Sequence, residues 1–205
     1  MTALAGAAIL FGLLYSLFLL WYGGRGKPLT PDEIQGFRQE LAAAVRHPER
    51  QALLADIDTL LASDDGHEFV MQNLARYRPR ALYPPGYDFN EDPRAADQRY
   101  GRAIVPQLLR YGSLPIFIAR RSGTFIEPEG SDAWHYVAMV RYRSRRDFLR
   151  FALAVERNDA AVHKWAALEK THVFPVRPLI SLVFVRGAVG LLLALVAAVL
   201  YLLIR

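Results

Sequence analysis

The sequence predicts an α+β fold: a βαββαβ antiparallel sheet behind an N-terminal helical hairpin, with a membrane-spanning helix at each end. Three observations predict it. All 20 acidic residues lie between Asp32 and Glu169, and of 25 basic residues only Arg186 and Arg205 fall outside residues 23–177, so both ends are nearly uncharged. Apolar residues recur every three to four positions between residues 30 and 61. From residue 68 to 177, strand-like alternation and helical periodicity take turns.

The first element is the apolar run at residues 3–22, twenty residues without a charge. A helix of that length covers the roughly 30 Å hydrocarbon core of a bilayer. Trp21 and Tyr22 suit its interface, and residues 1–24 are read as one span. Residues 28–65 form the hairpin. Thr30-Pro31-Asp32-Glu33 opens a helix through Ile34, Phe37, Leu41 and Val45, and a second follows Pro48 through Leu53, Ile57 and Leu61. Between residues 28 and 68, nine acids face three bases, whereas residues 69–186 hold 19 bases and 11 acids. This division reads first as two solvated surfaces; the sharper reading is that the acidic hairpin folds against the basic domain or faces a basic partner.

The domain at residues 66–178 then opens with a strand at 68–78, followed by a loop around Pro84-Pro85-Gly86 and a helix at 93–111 capped by Asp92. Further strands follow at 114–121 and 133–143. Ser144-Arg145-Arg146-Asp147 caps one long helix to about residue 168, and a last strand runs at 171–177. The order βαββαβ is the ferredoxin-like arrangement, with both helices on one face of the sheet. The chain closes on a second apolar run at 187–204, inside a span read over 179–205. Arg25, Lys27, Arg177 and Arg186 flank the spans on the domain side, which places a two-pass protein in the inner membrane with its domain in the cytoplasm.

The runs Phe69-Val70-Met71-Gln72-Asn73-Leu74-Ala75-Arg76-Tyr77-Arg78, Ala81-Leu82-Tyr83-Pro84, Tyr100 with Pro106 and Gly112, and Arg141-Tyr142-Arg143-Ser144-Arg145-Arg146-Asp147-Phe148 carry a family likeness. They resemble the dimeric α+β barrel superfamily, in its EthD-like and uncharacterised branches. The resemblance implies that two protomers pair their bare sheet faces. It also implies a range of activities, from cofactorless monooxygenases and haem enzymes to proteins with none.

The absence of cysteine removes thiol catalysis and every cysteine-ligated metal site. No phosphate loop, dinucleotide fingerprint or nucleophile elbow is present, and no histidine pair has ligand spacing. No cofactor or metal is expected. Three residues are candidates for chemistry. Asn73 falls on an otherwise apolar strand face with Phe69, Met71, Ala75 and Tyr77, where its amide needs either a ligand or a backbone partner. Tyr100 lies on the inward stripe of its helix, and His135 reads as a structural histidine or a general base. Arg76 and Arg78 at one end of the sheet, and Arg141, Arg143 and Arg145 at the other, are candidates for contact with anions or lipid headgroups. Nucleic acid is not expected, with 23 bases against 20 acids between the uncharged ends and no recognition helix.

Two functions fit. One is a membrane-anchored binding or assembly module that dimerises through its sheet and meets a membrane-protein partner. The other is a small-molecule enzyme, an oxygenase or isomerase needing no cofactor, that takes a hydrophobic substrate from the bilayer between Asn73, Tyr100 and His135. An enclosed cavity of about 300 Å³ or more with convergent polar groups favours the second.

Overall fold

The computed structural model describes residues 13, 16–18, 20–23, 26–45, 50–180, 191, 195, 198–199 and 202. Helix α1 (Pro31–Ala44) begins where the Thr30 hydroxyl accepts from the Glu33 amide at 3.3 Å and the Glu33 carboxylate accepts from the Thr30 amide at 2.9 Å. Helix α2 (Arg50–Ala62) returns beside it. Leu41, Val45, Ile57 and Leu61 of this hairpin form one buried cluster with Leu149 and Leu153 of helix α4 (Arg145–Arg157). Around that apolar seam Glu33 pairs with Arg146, Glu40 with Arg157, and Asp65 with both Arg145 and Arg177. The acidic hairpin therefore folds against the basic domain.

Strands β1 (Phe69–Tyr77), β2 (Leu114–Arg120), β3 (Tyr136–Tyr142) and β4 (Leu168–Val176) form one antiparallel sheet in the order β2-β3-β1-β4. Helix α3 (Pro93–Arg110), capped by Asp92, fills the first crossover and runs through Pro106. The second crossover departs from the single helix expected over 144–168. It breaks at Asn158-Asp159-Ala160, where Asp159 takes φ 56°, a left-handed conformation that Asp tolerates better than most residues. The Tyr87 hydroxyl donates to the Asp159 carboxylate at this break. Helix α5 (Ala161–Ala167) follows, and β4 starts directly after it, three residues ahead of the expected point, because Leu168 already pairs with Tyr77.

The expectation of two membrane-spanning helices, and with it the placement as a two-pass inner-membrane protein, is corrected. Among the described residues no helix is long and apolar enough to cross a membrane. A span needs about 20 consecutive apolar residues, whereas the 18-residue α3 carries Arg94, Asp97, Arg99, Arg102 and Arg110. Most of residues 3–22 and 187–204 lie outside the described residues. The described end of the first run packs on the domain. Trp21 Nε1 donates to the Leu109 carbonyl at 3.1 Å, and the Trp21 and Tyr22 carbonyls accept from Arg143 and Arg141 at 2.7 and 2.8 Å.

Candidate functional site

The helix-facing side of β1 carries Phe69, Met71, Asn73 and Ala75, paired across β3 with Tyr142, Val140, Ala138 and Tyr136. Its first half is bulky. Phe69, Met71, Val140 and Tyr142 pack there with Leu108 of α3 and with Phe151 and Val155 of α4. Its second half switches to Asn73, Ala75 and Ala138, and opposite them α3 presents Gly101, where an added Cβ meets nothing within 4 Å. The short side chains leave a cavity of about 780 Å³ between sheet and helix.

Asp97 of α3 supplies the cavity's carboxyl group. Tyr77 donates to one of its oxygens at 2.8 Å and Tyr136 to the other at 3.2 Å. Burial pushes the Asp97 carboxyl above the usual carboxylate range, against the opposing pull of those two bonds and of Lys164. Burial also raises the phenols of Tyr77, Tyr100 and Tyr136, which therefore stay protonated donors at neutral pH. Lys164 of α5 lines the same space. Burial lowers its ammonium, while Glu156 and Asp97 act the other way, and it lies 4.9 Å from the centre of the Trp165 ring. A carboxyl, an ammonium and four phenols, Tyr142 being the fourth, thus border one cavity whose remaining wall is largely apolar, an arrangement suited to moving protons on a bound molecule.

Asn73, Tyr100 and His135 all line this cavity. The Asn73 amide nitrogen donates to the carbonyls of Met71 at 3.1 Å and Ala138 at 3.3 Å, so both backbone partners and cavity claim it. His135 extends the sheet. Its amide donates to the Ala75 carbonyl at 2.8 Å, and its Nδ1 accepts from the Tyr77 amide at 2.9 Å, standing in for a ladder carbonyl where β3 pairing ends. Its ring stacks on Tyr77, centroids 5.6 Å apart.

The arginines divide between the two ends of the sheet. Arg76 pairs with Glu169 at 3.1 Å and Asp132 at 3.6 Å, and Arg78 donates to the Trp165 carbonyl at 3.4 Å. At the other end Arg141, 3% exposed, donates to Glu68 and to the Gly112 and Tyr22 carbonyls, with its guanidinium 3.5 Å from the centre of the Tyr22 ring. Arg143 forks onto Asp147 at 2.7 and 3.0 Å, and Arg145 donates to the Leu60 carbonyl and the Ser63 hydroxyl, both at 2.9 Å. These guanidiniums serve the chain's own carbonyls and carboxylates.

Asp97, Tyr77, Tyr136 and Lys164 were not among the residues singled out from sequence. A signal for the first exists: Asp97 stands three residues before Tyr100 and four residues before Gly101, so helical spacing already puts a carboxylate beside the inward stripe.

No family model matches the chain, and no curated protein does either. Its structure is similar to the crystal structure of RPA0582, a protein of unknown function from Rhodopseudomonas palustris, with TM-score 0.55 and 26% identity over 66% of this chain and 97% of that one. It is also similar to the crystal structure of methylated RPA0582 protein, with TM-score 0.52 and 25% identity over 77% of this chain and 97% of that one.

Proposed function

We propose that the chain is a small-molecule enzyme that moves a proton on a largely apolar molecule bound between the sheet and α3, with Asp97 as the acid-base group. The observation that carries this reading is the Asp97 carboxyl, half-buried in a cavity of about 780 Å³ and held on both oxygens by phenols. A carboxylate with a raised pKa is a stronger base than a solvated one, and it is fixed in one orientation. It takes a proton from a carbon next to a carbonyl and returns it to another carbon, so the net reaction is an isomerisation with no oxidant consumed. Tyr100 and Lys164 are the donors that meet the developing oxyanion. Solvent-deuterium uptake into the enolisable ketone 2-tetralone, followed by NMR, tests this. The protein should accelerate exchange, and Asp97→Asn should lower the rate by at least about 100-fold. An unaffected rate in that variant, or no acceleration by the native protein, overturns the proposal.

A second reading concerns assembly, and the opposite face of the sheet favours it. Leu74, Val137, Met139, Phe117, Phe174 and Val176 share that face by register and are only partly buried, Phe117 being 37% exposed. A second copy of the chain would cover such a patch. Sedimentation equilibrium should return twice the 23.1 kDa chain mass, and Val137→Lys should return it to one.

A further inference from the structure

The mouth of the cavity is marked by lining residues that are also exposed. It lies between α3 and the edge strand β2, with Val105 (39% exposed) and Ile118 (66%) on one stretch of the rim. On another stretch stand Arg94, at the start of α3, and Arg120 and Arg121, at the end of β2. Arg121 is neutralised by Glu127 at 2.7 Å and is turned to its own loop, bonding the Gly123 carbonyl at 3.1 Å. Arg94 and Arg120 have no acidic partner among the described residues. Helix and sheet therefore each bring one uncompensated guanidinium to the same opening. Both are near enough to the interior to act electrostatically on the Tyr77 phenol that holds Asp97.

We propose that the substrate of this cavity is an organic carboxylate: its apolar body lies over Ala75, Ile104 and Ala138, and its carboxylate is held at the mouth by Arg94 and Arg120. This rests on the proposed reading of the cavity and adds the substrate class. Two planar forks offer a carboxylate's two oxygens charge-assisted bonds at a half-solvated rim, where an anion keeps part of its hydration. The apolar stretch at Val105 and Ile118 receives what the carboxylate is attached to. The same pair of charges excludes cationic molecules from the carboxyl inside.

Calorimetric titration with 2-naphthoate and 2-naphthylmethanol, which share a ring system and differ in charge, separates the possibilities. The native protein should bind the naphthoate at least about tenfold more tightly than the alcohol, the scale of one charge-assisted contact. The double variant Arg94→Gln/Arg120→Gln, altered only at exposed positions, should erase that preference and leave the alcohol's affinity unchanged. Gly101→Leu, which puts a side chain into the cavity, should abolish binding of both. Equal affinity in the native protein, or a preference that survives in the double variant, overturns the carboxylate assignment and leaves the cavity reading standing. Binding that survives Gly101→Leu, or failure of both compounds to bind, overturns the cavity reading together with it.

Discussion

Two aspartates in this fold respond to burial with opposite outcomes. Burial raises the Asp97 carboxyl above its ordinary value of 3.8, whereas at Asp147 the same burial is outweighed by Arg143 and Ser144, and the carboxyl falls below 3.8. The linkage signs follow. Asp97 contributes stability below pH 3.8 that is lost as pH rises through its folded value, so Asp97→Asn should melt above the native protein at pH 7, with the gap closing in acid. Asp147 contributes stability above 3.8 that is lost as pH falls through its depressed value. Asp147→Asn should therefore cost about 2 kcal/mol at neutral pH, the scale of hydrogen bonds to a charged group, and less in acid. Thermal melts at pH 3 and pH 7 check both, and parallel behaviour of the two variants would refute the assignment. Alternation and helical spacing put Asn73 and Tyr100 on inward faces, whereas His135, which alternation would set on the far face with Val137 and Met139, lines the cavity from just before the start of β3. Helical spacing also sets Asp97 beside the inward stripe, but its role comes from Tyr77 and Tyr136 meeting it. That meeting depends on the Ala75↔Tyr136 register, a non-local pairing no local pattern encodes.

At the scale of elements, caps and periodicity were enough to locate all four strands and α3 to within a few residues, because Thr30, Asp92, Ser144 and the Pro-Gly turn are local signals. The break at residues 158–160 was not legible, since Asn and Asp inside an apolar periodic stretch read equally well as solvent-facing helix positions. The seam between hairpin and α4 depends on Leu149, which is 0% exposed. Leu149→Ala should cost about 2–5 kcal/mol in urea unfolding, with the hairpin amides losing hydrogen-exchange protection first. Gly66 fixes the hairpin's exit: its φ is +75°, and a Cβ there would fall 2.4 Å from the Lys27 carbonyl carbon. Gly66→Ala should therefore destabilise by more than the roughly 1 kcal/mol of a mid-helix glycine change taken in reverse.

On the scale of the whole molecule, the arginine-rich segment at residues 141–146 ties residues 21–22, 27–28 and the end of α2 to the domain. Arg141 and Arg143 hold the Tyr22 and Trp21 carbonyls, Arg146 those of Lys27 and Pro28, and Arg145 that of Leu60. In sequence such a run is indistinguishable from a surface anion site, because the carbonyls it serves are distant along the chain. Removing residues 1–25 should thus cost about 1–3 kcal/mol for each guanidinium donor left unpaired in a buried place, readable as a lower denaturation midpoint. An unchanged midpoint would mean that water replaces those carbonyls at no cost.

The interruption at Asp159 also acts as a phase reset. In an unbroken helix Lys164, nine residues beyond the core residue Val155, would stand about 180° around the axis from it and point away from the sheet. The left-handed step at Asp159 restarts the winding, so Val155 packs in the core and Lys164 still borders the cavity. The orientation of the ammonium is therefore set by how the short helix α5 packs through Ala161, Ala166 and Ala167 after the break, and not by the winding of α4.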